Sequence, residues 1–333
     1  MLEVRTTMAS SQAGAPPEDR GEKALRSGAR VSAYRIDRLL GTGGMGSVYR
    51  AEHAFLPREV ALKVLREDQL GQERAVDRMM REAATLAAIP HGGIPRFYEC
   101  GMLEDGRPWI AMELVSGVSL QTHLGRGALP PDEVITLAGD IAEVLAAAHD
   151  RGFTHRDLKP DNIFLVHGDP TYPVRLIDWG IVYQATGVRF TSMNEAIGTP
   201  TYMAPEQARG GPPDGHCDVY GLGVVAYQAL SGRPPFVGDS AIEILVQHLN
   251  KPVPALQPRC PEAPGGLIQL VERMLHKHAA ERPSAAEVCV ELRALARSRE
   301  ESAVPVTTRE ARREGVTAPI KLHREGSPAP RAR

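Results

Sequence analysis

Apolar and polar positions along the chain change their period near residue 131. Before it, strand-like stretches follow one another: YRIDRLL, SVYRAEH, EVALKVL, PRFYECG and PWIAMEL. One segment interrupts them, RAVDRMMREAATLAAI, whose apolar residues recur at helical spacing. From about Pro131 onward helical spacing dominates, in DEVITLAGDIAEVLAAAHD, CDVYGLGVVAYQALSG, SAIEILVQHLN, GLIQLVERMLHKH and SAAEVCVELRALA. A strand-rich part with one main helix followed by a helical part predicts an α+β chain in two lobes. A cleft between such lobes is where ligands bind.

Both ends fall outside this pattern. Residues 1–33 are rich in Ala, Pro, Gly, Ser and charge, and predict a disordered N-terminal segment. Residues 297–333 have few large apolar side chains and many arginines, and predict a disordered basic tail. The folded unit is therefore expected over 34–296, with a first lobe at 34–115 and a second at 116–296.

Composition narrows the function classes. With 333 residues, 42% hydrophobic and 24% charged, the chain is long enough for one large domain or two lobes. A formal net charge of -2 supplies no global field for nucleic acid or an anionic membrane, so any phosphate chemistry must be local. Cys100, Cys217, Cys260 and Cys289 form no C-x-x-C pair, which argues against a zinc site or a disulfide framework and fits a reducing compartment. The N-terminus has no apolar segment of signal-peptide type. The best apolar run, VYGLGVVAYQALSG, is shorter than the roughly 18 to 20 residues that cross a bilayer. A cytoplasmic protein without a membrane span is expected.

Three stretches carry candidate chemistry. LLGTGGMGSVYRAEH sets Gly41, Gly43 and Gly46 in G-x-G-x-x-G spacing, with Val48 two residues on. Glycines let a backbone approach phosphate oxygens without a Cβ clash and aim N–H donors at the anion. A dinucleotide-binding turn needs a helix straight after the glycines, whereas SVYRA is strand-like, so a hairpin lying over phosphates fits better. EVALKVL places Lys63 among Val60, Ala61, Leu62 and Val64. It is either an exposed edge lysine or a buried ammonium that needs a partner, for which Glu82 in the following helix is the candidate. HRDLKPDN, residues 155–162, packs charges of both signs between a helix that ends near Gly152 and the strand-like IFLV. A solvated loop is the plain alternative, but those flanks favour side chains fixed in position.

GTGGMGSV, VALK, a helix carrying Glu82, HRDLKPDN, DWG and APE occur in that order. Together they resemble the signature set of the eukaryotic-like (Hanks-type) serine/threonine protein kinases widespread in bacteria, over about residues 34–296. The resemblance implies a bilobal protein-kinase fold, ATP with Mg2+ or Mn2+, and protein substrates with Ser or Thr. Asp157 would orient the attacking hydroxyl and accept its proton, Lys159 would contact the γ-phosphate, and Lys63, held by Glu82, would reach the nucleotide phosphates. Asn162 and Asp178 would hold the metal. His155 is expected to pack in the core.

The same resemblance lays Leu40, Gly41, Thr42, Gly43, Gly44, Met45, Gly46, Ser47 and Val48 over the nucleotide. Leu40, Val48 and Ala61 would close one face of the adenine ring and Phe164 the other, with Met112 at the back pocket and the backbones of Glu113 and Val115 pairing with the base. Arg156 would receive a phosphorylated activation segment, with Thr191 the first candidate acceptor, then Ser192 and Thr186. Lys159 and Thr199 match the serine/threonine pattern. Glu206 and Arg282 are expected to form a buried ion pair, and Asp218 to start a central helix and brace the catalytic loop. Autophosphorylation through a transient homodimer, and a role in signal transduction, follow from the same likeness. Departures from the family pattern are Trp179 in place of Phe, IPHGGIP in place of the HPNI turn, and Thr154 before the catalytic loop. The alternatives are a pseudokinase acting as a nucleotide-binding scaffold and, less well matched by GTPTYMAPE, a kinase-fold enzyme for small molecules.

Overall fold

In the computed structural model, residues 24–44, 46–179, 200–211 and 214–303 are described. Among them, the first lobe is a sheet of Arg30–Val31 (β1), Tyr34–Thr42 (β2), Gly46–His53 (β3), Glu59–Leu65 (β4), Phe97–Met102 (β5) and Pro108–Glu113 (β6), with Glu73–Ala88 (α1) after β4. The strands lie in the order β1-β2-β3-β4-β6-β5, and each neighbouring pair is antiparallel. Strand β4 is buried on both faces after Glu59, and its alternation sorts the core. Val60, Leu62 and Val64 pack with Tyr34, Ile36, Tyr49 and Trp109 on one face. Ala61 and Leu65 face the other way, joining Met79, Ala83 and Leu86 of α1 and the core of the second lobe. Lys63 shares that second face with Ala61 and Leu65, which aims a charged side chain at α1.

The second lobe begins with Gly117–Ser119 (β7), which pairs with Ile163–Val166 (β8), and β8 in turn pairs with Val174–Leu176 (β9). Its helices are Leu120–Leu124 (α2), Pro131–His149 (α3), Pro205–Ala208 (α4), Gly215–Ser231 (α5), Ala241–Asn250 (α6), Gly265–Met274 (α7) and Ala285–Ala303 (α8). Helix α5 forms the axis of this lobe: thirteen of its residues, from Cys217 to Leu230, are buried. Its ends follow capping chemistry, with the Asp214 side chain accepting from the His216 N–H and Gly232 closing the helix at φ 77°.

The IPHGGIP turn seats α1 on the second lobe. A Cβ on Gly92 would lie 2.1 Å from the Tyr172 ring, and one on Gly93 2.1 Å from Val144 Cγ2 of α3. With no side chains there, the backbone comes close enough for the Leu176 N–H to donate to the Gly93 carbonyl at 2.8 Å. The departure from the HPNI turn is thus a close-packing solution at the lobe junction.

The expected boundaries need correction at both ends. The disordered segment was expected to reach residue 33, yet Leu25 N–H donates to the Tyr49 hydroxyl at 3.1 Å, Gly28 N–H to Ile36 O at 2.8 Å, and β1 adds an edge to the sheet. The basic tail was expected from residue 297, yet α8 runs on to Ala303, and Arg299 pairs with Asp132 of α3. Composition missed both because the ordering contacts come from partners far away in sequence. Residues 304–333 lie outside the described residues, as do Met45, Thr186, Thr191, Ser192 and Thr199.

Candidate active site

Lys63 is 6% exposed and Glu82 2%, so neither charge is accommodated by water. They meet directly, with Lys63 Nζ donating to both Glu82 carboxylate oxygens at 2.9 and 2.8 Å. A third bond reaches Asp178 Oδ1 at 2.8 Å, across the lobes. Burial opposes the ammonium, but Asp178 and Glu82 outweigh it and hold the Lys63 pKa above its ordinary value. Burial also opposes a charged Asp178, and Lys63 more than offsets it, keeping that carboxyl below the usual range. Two carboxylates thus share one cation, and Glu82 is the one left short: burial pushes its pKa up to about 7.

The catalytic-loop candidates form a second cluster. Asp157 Oδ2 accepts from Lys159 Nζ at 2.7 Å and from Asn162 Nδ2 at 3.0 Å, and the same Asn162 amide donates to the Asp157 carbonyl at 2.9 Å. Asn162 is buried at the Pro160–Asn162 turn, and the Ile177 N–H donates to its carbonyl at 2.9 Å. That bond ties the loop to the strand leading into Asp178. Arg156 and Asp178 both sit in the left-handed region, at φ 68° and 61°. Non-glycine residues hold that conformation only when neighbours over-determine it.

Those neighbours are visible. Asp218, 1% exposed in the first turn of α5, accepts the His155 N–H at 2.8 Å, the Arg156 N–H at 2.7 Å and His149 Nε2 at 2.8 Å. Burial works against its charge, yet these donors hold its pKa below the ordinary value. The helix itself starts earlier, at Gly215, so Asp218 braces the loop without beginning the helix. His155 is fully buried, with Nε2 2.9 Å from the Ile177 carbonyl and its ring centroid 4.7 Å from that of Trp179. Trp179 is itself fully buried, and its indole N–H donates to the Leu176 carbonyl at 2.7 Å. A phenylalanine has no such donor.

Glu206 and Arg282 meet as a two-pronged pair at 2.7 and 2.9 Å. The Arg282 guanidinium also donates to the carbonyls of His276, His216 and Lys277 and lies over the Tyr220 ring at 4.7 Å. Of the residues expected around the base, Ala61, Met112 and Phe164 are buried, while Leu40, Val48 and Val115 are half-buried. The Glu113 N–H is committed to the Arg96 carbonyl at 2.8 Å, which leaves its carbonyl as the group to offer a base. Among the glycine-rich residues, a Cβ on Gly46 would strike the Val64 carbonyl at 2.6 Å, so that glycine is required by the sheet itself.

Three residues that the motifs do not reveal complete the arrangement. His149 supports Asp218. Arg175 of β9 lies 3.5 Å from Glu113 and donates to the Tyr172 carbonyl at 2.7 Å and to Asp169 at 2.9 Å, linking β9 to the segment between the lobes. Gln207 of α4 donates to the Arg156 carbonyl at 2.9 Å. None carries a local sequence signal, because the partner that ties each to the site, Asp218 for His149, Glu113 for Arg175 and Arg156 for Gln207, is brought near only by folding.

Residues 34–291 match the family model described as the protein kinase domain. Serine/threonine-protein kinase pkn3 of Myxococcus xanthus is 37% identical over 306 residues, covering 89% of this chain and 55% of that protein. Pkn2 of the same organism is 38% identical over 270 residues, covering 80% and 32%. PrkC of Bacillus subtilis is 36% identical over 258 residues, covering 77% and 39%. The chain thus spans between about a third and just over half of the length of these curated relatives. In structure it is similar to the crystal structure of the Mycobacterium tuberculosis PknI kinase domain, with TM-score 0.65, 29% identity, and coverage of 81% of this chain and 99% of that one. The motif order, the two charge clusters and these matches agree: the chain belongs to the protein kinase family, in its Hanks-type bacterial serine/threonine branch.

Proposed function

We propose that the chain transfers the γ-phosphoryl group of ATP to serine or threonine hydroxyls of proteins. The observation that carries this reading is the Asp157 carboxylate, held by Lys159 and Asn162 in a loop tied to Asp178, which in turn bonds the Lys63–Glu82 pair. In the reaction the hydroxyl oxygen attacks the γ-phosphorus. The bond to the β–γ bridging oxygen breaks with its electron pair leaving on ADP, and the hydroxyl proton passes to Asp157. Lys159, already at Asp157, neutralises charge on the transferred group. Lys63 holds the nucleotide phosphates, and Glu82 keeps it from folding back.

The donor set suits a hard divalent cation such as Mg2+: a carboxylate at Asp178, and at Asn162 a carboxamide whose N–H groups face Asp157, which turns its carbonyl oxygen the other way. Asp178 and Asn162 would hold the ion, and when bound it would neutralise phosphate charge. Among the described residues no group of three or more His, Cys, Asp or Glu side chains could hold a metal alone, and a phosphate-assisted site does not require one.

Autophosphorylation on Thr191, with Ser192 and Thr186 next, belongs to the same reading. Arg156 supports it: its Nε is buried with no hydrogen-bond partner among the described residues, so a phosphate would find an unsatisfied donor. The pseudokinase alternative is disfavoured because Lys63, Glu82 and Asp178 form one bonded cluster and Asp157 and Asn162 a second, tied to the first through the Ile177 N–H bond to the Asn162 carbonyl next to Asp178. Among the described residues no helix is long and apolar enough to cross a membrane. The test is transfer from γ-labelled ATP to a general protein acceptor, followed by phosphoamino-acid analysis and site mapping. The reading expects phosphoserine and phosphothreonine, with label on the chain itself at Thr191. Label in phosphotyrosine or in a small metabolite alone would contradict it.

A further inference from the structure

The peptide group joining Arg156 to Asp157 is held from outside its own loop. Arg156 is left-handed, and its N–H is fixed by Asp218 of α5 at 2.7 Å. Its carbonyl, on the peptide that carries Asp157, accepts from Gln207 Nε2 at 2.9 Å. The other end of the same carboxamide accepts the Ala204 N–H at 3.0 Å, which fixes which way the side chain points. Gln207 is buried, 9% exposed, so both bonds form where water does not compete. Within the loop, the Asp157 N–H has only a long contact to His155 Nδ1 at 3.4 Å, too weak to set that peptide plane alone. One residue earlier, Glu206 clamps α4 to Arg282, so the base from which Gln207 reaches is itself anchored.

We infer that Gln207 is a positioning residue for Asp157. It fixes the peptide plane that aims the carboxylate, and it ties that plane to α4, which comes after Thr191 and Thr199 in the chain. The inference rests on the assignment of Asp157 as proton acceptor. A glutamate in place of Gln207 keeps the acceptor for Ala204 but loses the donor to Arg156, setting oxygen against oxygen. Methionine has the same length and offers no strong bond to either partner.

Gln207→Glu and Gln207→Met in the full chain should lower kcat per nucleotide-binding site about 10- to 100-fold, the scale of a misplaced reacting group. The KM for ATP and the measured ATP affinity should stay within about twofold of the parent. A merely structural glutamine would reduce the number of binding-competent sites and the melting temperature, leaving kcat per site unchanged. A kcat per site within about twofold of the parent in either variant, with Asp157→Ala inactive, overturns the role of Gln207 alone. Full transfer by Asp157→Ala overturns the reading beneath it.

Discussion

Replacing Glu206 with Ala leaves the Arg282 guanidinium in the protein interior with its anionic partner gone. The Arg282 side chain is 0% exposed and that of Glu206 19%, so the cost falls on the arginine. Three carbonyl acceptors, from His276, His216 and Lys277, remain, as does the Tyr220 ring, but dipoles do not cancel a full charge. Removing one partner of a buried pair typically costs about 3–5 kcal/mol, which for a domain of this size lowers Tm by roughly 6 to 10 °C. Arg282→Ala leaves Glu206 partly able to rehydrate but strips those three carbonyls of their donor, so a loss of similar size is expected. The double variant should lose clearly less than the two single losses added together, because the second substitution removes the stranded partner. Denaturant unfolding of the four proteins measures the cycle. A Glu206→Ala loss below about 1 kcal/mol, or strict additivity, would refute the claim that this pair anchors α4.

Other expectations follow from single contacts. Trp179→Phe deletes the 2.7 Å bond to Leu176 and should cost about 1–3 kcal/mol in denaturant unfolding; parent-like stability would show the indole N–H to be idle. Gly93→Ala forces a methyl group to 2.1 Å from Val144 Cγ2 and should destabilise by about 1–3 kcal/mol, whereas Gly44→Ala, with nothing within 4 Å, should unfold like the parent; the reverse order would contradict the packing at the lobe junction. Since burial raises the Glu82 pKa to about 7, acidification protonates it and leaves Lys63 to Asp178 alone. The kcat/KM for ATP should therefore fall on the acid side with a midpoint near 7, and a flat profile between about pH 6 and 8 would remove Glu82 from that role.

What could be read from sequence was chemistry whose partners are near in the chain or fixed by a motif. HRDLKPDN carries Asp157, Lys159 and Asn162 within one loop, and their mutual bonds follow from that spacing. Lys63 was legible because an ammonium on an apolar strand demands a carboxylate and the next helix offers Glu82 on the facing side. The apolar periodicities located the main strands and helices, but not β1 or β7, which are too short to show a period. Gln207 stayed silent because its acceptor lies on another element, fifty-one residues away, and Arg175 because Glu113 of β6 comes near it only on folding. The glycines of IPHGGIP read only as a departure from the family turn, and their purpose appeared once Val144 and Tyr172 stood against them.

The most direct measurement compares the parent chain with Asp157→Ala, following ATP affinity by calorimetry and label transfer from γ-labelled ATP to a protein acceptor with Mg2+ present. The account predicts nearly equal nucleotide binding and transfer lowered at least about 100-fold in the variant. Transfer at the parent rate by the variant, or none from a parent chain shown to bind ATP, would contradict it.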